Sequence, residues 1–95
     1  MKSIIQSEKE CWFCGRCEVE EHHIFYGTAN RKLSEKYGLK VWLCPEHHRS
    51  SKYGVHFNKY NDNILKEVAE EKFRRTYQLN FQRLFYGDGL EEWTE

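Results

Sequence analysis

Two short strings constrain this chain more than anything else in it: Cys11-Trp-Phe-Cys14 and Cys44-Pro-Glu-His47. Each places two metal-binding side chains three positions apart, within reach of a single ion. Two such pairs separated by a longer loop are what a tetrahedral zinc site needs. Gly15, directly after Cys14, suits a turn that demands positive φ so that backbone amides can point at thiolates. The expectation is a structural Zn²⁺ held by Cys11, Cys14, Cys44 and His47. Cys17 repeats the spacing from Cys14 and could replace Cys11, but is read as a spare thiol. A disulfide framework is disfavoured, because the chain opens without the apolar segment of a secretory signal and the pairs have ligand spacing.

The remaining histidines fall in the same stretch. All five histidines and four cysteines lie between Cys11 and His56. His22-His23 sits in a β-forming segment, where neighbouring side chains point to opposite faces. His47-His48 follows Pro45, which suits the first position of a helix; consecutive helical residues diverge by about 100°. If His47 closes the zinc site, His48 is free to face the strands. One histidine from each element can then hold a second metal, and the remaining strand histidine can act as a base, since imidazole titrates near neutral pH.

Ninety-five residues make one domain, read as 1–95 with a motif core at 11–58 and a helical extension at 61–87. Fifteen basic and fifteen acidic residues balance, which excludes a uniformly basic nucleic-acid coat. Aromatic content of 16% excludes a disordered chain. No apolar run approaches the roughly 18 residues of a membrane span. The charge is nonetheless uneven: residues 31–52 carry six basic and two acidic groups. This stretch coincides with the ligand cluster and points to a phosphate-bearing partner, with Arg31, Lys32, Arg49 and Lys52 as its candidate contacts.

The pattern predicts strands across His22–Phe25 and Leu39–Leu43, the second with Leu39, Val41 and Leu43 on one face. One helical turn is expected within 31–38, ending at Gly38. A helix starting at Pro45 is ended or bent at Gly54. Asn61-Asp62-Asn63 reads as a cap for an amphipathic helix over 63–78. A shorter helix carrying Phe81, Leu84 and Phe85 stops at Gly87. The C-terminal aromatic stripe is read as core.

Cys11-x-x-Cys14, Glu21-His22-His23-Ile24 and Leu43-Cys44-x-x-His47-His48-Arg49 together resemble the HNH endonuclease signature. The strings His-His-Ile-Phe, Asn30-Arg-Lys and Ser34-Glu-Lys-Tyr-Gly-Leu are most similar to small phage and prophage HNH proteins and to phage recombination-enhancing nucleases. The resemblance implies an α+β fold of the ββα-metal kind, pinned by a zinc knuckle. It implies DNA as partner, with a host recombinase filament as a further one, in the cytoplasm of a bacterial host. It assigns His23 as the general base, and His22 and His48 as ligands of a catalytic Mg²⁺ or Mn²⁺. His56 is a possible third ligand if the helix runs on through Gly54. The implied reaction is phosphodiester hydrolysis leaving 5′-phosphate and 3′-hydroxyl ends. One departure stands out: where relatives carry an Asn on the second strand, this chain has Leu39, so another group must orient His23, a backbone carbonyl or Asn30 among them. Three other readings compete: a zinc-knuckle binding module without activity, a recombination accessory that acts only with a partner filament, and a small redox protein using Cys14 and Cys17.

Overall fold

The computed structural model describes residues 1–86. It is an α+β arrangement in the order β1 (Glu20–His23), α1 (Thr28–Tyr37), β2 (Lys40–Leu43), α2 (Pro45–Arg49), α3 (Lys59–Thr76) and α4 (Phe81–Tyr86). The two strands pair antiparallel in the register Glu20↔Leu43, Glu21↔Trp42, His22↔Val41 and His23↔Lys40. Strand alternation therefore sorts the residues into two sets. Glu20, His22, Val41 and Leu43 share one face; Glu21, His23, Lys40 and Trp42 share the other. Val41 and Leu43 are buried, as is Leu39 just before β2, so the alternation read from the sequence is the one the fold uses.

Ile24 and Phe25 lie beyond β1 rather than in it, a correction to the expected strand. Both are buried; the Ile24 amide donates to the Leu39 carbonyl at 3.0 Å, and the chain then turns away through Gly27 at φ 92°. Helix α1 has ten residues, not one turn. It is polar on most sides; Leu33 and Tyr37 pack against the core, and its fully buried residue, Ser34, accepts at Oγ from the Phe25 amide and donates to the Phe25 carbonyl. Gly38 ends it in the left-handed conformation, with a backbone bond back to Ser34. A Cβ there would meet the Lys2 carbonyl at 2.5 Å, so the position needs glycine for space as well as for φ.

Helix α3 begins at Lys59, four residues before the expected start, because Asn58 is the cap: its Oδ1 accepts from the Asn61 amide at 3.0 Å. It ends at Thr76, which leaves Tyr77 as the residue following it. Its Leu65, Ala69 and Phe73 are buried, and Phe73 meets Phe81 and Phe85, which Phe25 meets in turn, to form an aromatic cluster. The C-terminal stripe is core, as expected from its spacing. The proposed stop at Gly87 lies outside the described residues. No helix among the described residues is long and apolar enough to cross a membrane.

Candidate metal centres

The zinc ligands come together. Cys14 Sγ and Cys44 Sγ are 3.8 Å apart, Cys11 Sγ lies 3.7 Å from His47 Nδ1, and Cys44 Sγ lies 3.3 Å from the same nitrogen. A tetrahedron with zinc–sulfur bonds of about 2.3 Å has sulfur–sulfur edges of about 3.8 Å and slightly shorter sulfur–nitrogen edges. The four side chains thus lie close enough to bind one metal ion such as zinc. Local structure explains the placement. Gly15 takes φ 81° and donates to the Cys11 carbonyl, closing the first turn. Pro45 opens α2, which brings His47 back over Cys44. Burial raises the Cys11 thiol pKa, but backbone hydrogen bonds from Cys44, Cys14 and Phe13 outweigh it, and the net shift favours the thiolate that metal binding requires. Cys17 is exposed and outside the cluster.

A second group forms on the apolar face of the strand pair. His22, His48 and His56 place their ring centroids 5.0–5.1 Å from one another, with ligand nitrogens close enough for one ion. Their preparation differs. His22 is 2% exposed, and its Nε2 has no hydrogen-bond partner. Burial first, then the neighbouring His48 and His56, push its pKa down to about 3, so it stays neutral with a nitrogen lone pair available. His48 Nδ1 pairs with Glu20 Oε1 at 2.6 Å, which leaves Nε2 as the nitrogen able to face an ion. A carboxylate behind a ligating histidine fixes tautomer and ring orientation. Glu20 is itself held by Arg49, and these hydrogen bonds, Arg49's before His48's, bring its pKa down to about 2. His56 is shifted downward by burial and by His48.

His56 reaches this group by a different route from the one expected. Helix α2 ends at Arg49, well before Gly54. The chain instead folds back: the Gly54 amide donates to the Ser50 carbonyl and the Val55 amide to the His47 carbonyl. A Cβ on Gly54 would fall 2.6 Å from Ser50 backbone atoms. Gly54→Ala therefore should displace the 54–58 turn and weaken metal retention at the three-histidine group by about 10-fold or more, with the Cys11 cluster still filled. Metal titration of the two sites with a colorimetric chelator checks this.

The opposite strand face holds a third group: Glu21, His23 and Glu35. Here a cation is already built in. Lys40 Nζ lies 3.0 Å from Glu21 Oε2 and 3.0 and 3.1 Å from the two Glu35 oxygens. His23 Nε2 lies 2.8 Å from Glu35 Oε1. Glu35 also accepts from the Met1 amino group; that contact first, then His23 and Lys40, keeps its carboxyl ionised far below the usual range. This is a fixed network around an ammonium group, not a vacancy for a metal. A groove lined by His23, Glu21, Glu35, Thr28, Arg31 and Lys32 opens beside it. Two of the four basic residues singled out from the sequence, Arg31 and Lys32, thus share a groove with His23. Arg49 is paired with Glu20, and Lys52 lies over the Tyr53 ring at 5.3 Å. Asn30 makes no hydrogen bond to His23.

Sequence reasoning missed Glu20 and Glu35. Glu35 lies inside one of the strings that carry the HNH resemblance, but its contact with His23 depends on the length of α1, which the sequence understates.

Fold and site together define a small α+β protein with one Cys₃His cluster suited to zinc and a separate three-histidine cluster suited to a second ion. No family model matches the sequence, and no curated protein or solved structure matches it either.

Proposed function

We propose that this chain is a metal-dependent endonuclease of the HNH kind, with a ββα-metal core made by β1, β2 and α2. The observation that carries the reading is the split of two adjacent histidines. His22 turns to His48 and His56, while His23 turns to Glu35 and to a groove bearing Arg31 and Lys32. A metal cluster and a base, one strand residue apart, are what phosphodiester hydrolysis asks for.

His23 takes a proton from water at Nδ1, the nitrogen that Glu35 leaves free, and the water attacks phosphorus in line. Arg31 and Lys32 hold the backbone phosphates; such contacts position a strand without reading its bases. The bond from phosphorus to the 3′ oxygen breaks and that oxygen takes a proton from solvent, so the products are 5′-phosphate and 3′-hydroxyl ends. His22, His48 and His56 would hold the metal, which when bound stabilises charge on the phosphate and the leaving oxygen. Three imidazoles suit Zn²⁺ and its neighbours better than Mg²⁺, an oxygen-seeking ion. Mn²⁺ and Zn²⁺ therefore belong beside Mg²⁺ in any assay.

The test is nicking of supercoiled plasmid by the zinc-loaded wild type with each of these ions. Metal-dependent open circles support the reading. A folded, fully metallated chain that cuts neither plasmid nor oligonucleotide, alone or with a recombinase filament, overturns it in favour of a binding module.

A further inference from the structure

The turn that delivers His56 carries a second feature that the hydrolytic mechanism does not use. Phe57 and Tyr60 are 66% and 76% exposed, the two most exposed large apolar side chains among the described residues, and Tyr53 is 41% exposed. These rings are not on a loose segment. Asn58 Nδ2 donates to the Lys52 carbonyl and Asn61 Nδ2 to the Tyr53 carbonyl; the Phe57 and Asn58 amides both donate to the Gly54 carbonyl. A tightly bonded turn that holds aromatic rings out in water gains nothing from them in the free protein. Its charge says what covers them. Between Glu46 and Asp62 there is no acidic residue, while Lys52 and Lys59 fall in that interval beside Arg49, whose guanidinium is paired with Glu20. Exposed aromatic rings interleaved with lysines suit single-stranded nucleic acid, whose bases stack on the rings while its phosphates meet the ammonium groups. An intact duplex hides its base faces and has no use for the rings. An apolar protein partner has no use for the lysines between them.

We infer that residues 52–60 form a stacking surface for unpaired bases, so that the strand led to the adjacent three-histidine group is single-stranded. This rests on the nuclease reading for its purpose, but not for its measurement. The experiment is fluorescence anisotropy of the full metallated chain, carrying His23→Ala to prevent cutting. The probes are a labelled thymidine oligonucleotide of about 20 nucleotides and a hairpin duplex with as many phosphates. Phe57→Ala/Tyr60→Ala should weaken single-strand binding by about 100-fold and duplex binding by less than about threefold. Phe57→Trp/Tyr60→Phe, which keeps the rings, should bind single strands as the parent does. Both side chains are exposed, so an unchanged melting temperature confirms that the variants are folded. Equal losses on both probes reduce the surface to a phosphate contact and overturn the inference. An unchanged single-strand affinity overturns it as well and leaves the rings to a protein partner. If the wild type binds single strands through these rings yet never nicks, the nuclease reading fails while the stacking surface stands.

Discussion

Stripping the metal from this protein should unfold its N-terminal half. Structural zinc contributes on the order of 10 kcal/mol in small domains, as much as the whole stability expected of a chain of this size. The dependence is unusually direct here. Cys11 and Cys44 are buried, and Cys14 and Cys44 bring their sulfurs to 3.8 Å. Without an ion, thiolates at this separation repel, and protonated thiols make poor hydrogen bonds. The cluster also joins the 11–17 turn to α2 and β2, which it otherwise meets through the Trp12 amide donating to the Trp42 carbonyl at 2.9 Å, the Phe13 ring stacked on His47 and an exposed Arg16–Glu46 pair. Verified metal removal by a strong chelator should abolish the cooperative melting transition seen by circular dichroism, and zinc should restore it. Cys44→Ser should behave like the chelated protein. Cys17→Ser should keep full zinc content and the parent melting temperature, because Cys17 is exposed and outside the cluster. An unchanged transition after metal loss, or a collapse in Cys17→Ser, would show that the ligand set is wrong.

The legible and illegible parts of the site differ in how local their causes are. Cys11, Cys14, Cys44 and His47 were readable because each pair is fixed by a turn only a few residues long. The opposite orientations of His22 and His23 followed from strand alternation alone. His56 was readable only as a possibility, and for a mistaken reason: it arrives by a backbone turn through Gly54, not by continuation of α2. Glu20 and Glu35 were not read at all. Glu20 meets His48 across 28 positions and Glu35 meets His23 across 12. Such pairings depend on strand register and on where α1 starts, and polar residues on a short helix carry no periodicity that reveals either. The same blindness misplaced the start of α3, since any of several Asn and Asp residues can serve as a cap and only the structure shows that Asn58 does.

Glu20 and Glu35 make the two strand faces chemically parallel: on each, a carboxylate holds a histidine by one ring nitrogen. The consequences differ because of what else the carboxylate touches. Glu20 is shared with exposed Arg49, whereas Glu35 is pinned by Lys40, itself 8% exposed. Glu35 therefore has less freedom to swing away from its histidine, and on the proposed nuclease reading it is the group that orients His23, a task for which Leu39 has no polar atom.

If the proposed nuclease reading holds, His23→Ala should reduce metal-dependent nicking by 10²- to 10⁴-fold, about the range for loss of a positioned general base. Its melting temperature and zinc content should be unchanged. Glu35→Ala should fall between the two, about 100-fold below the parent, since a base free to rotate loses its alignment with the attacking water. Glu35→Gln keeps an oxygen that can accept from Nε2–H and so should recover most of the loss. The distinguishing measurement is the tautomer of His23 by nitrogen NMR. With Glu35 present, its carboxylate can only accept, so the proton should sit on Nε2 and the lone pair on Nδ1; Glu35→Ala should mix the two forms. If His23 in the parent already carries its proton on Nδ1, Glu35 does not set the base. If His23→Ala nicks at the parent rate, the base lies elsewhere, and the three-histidine group must be sought as the site of a different chemistry.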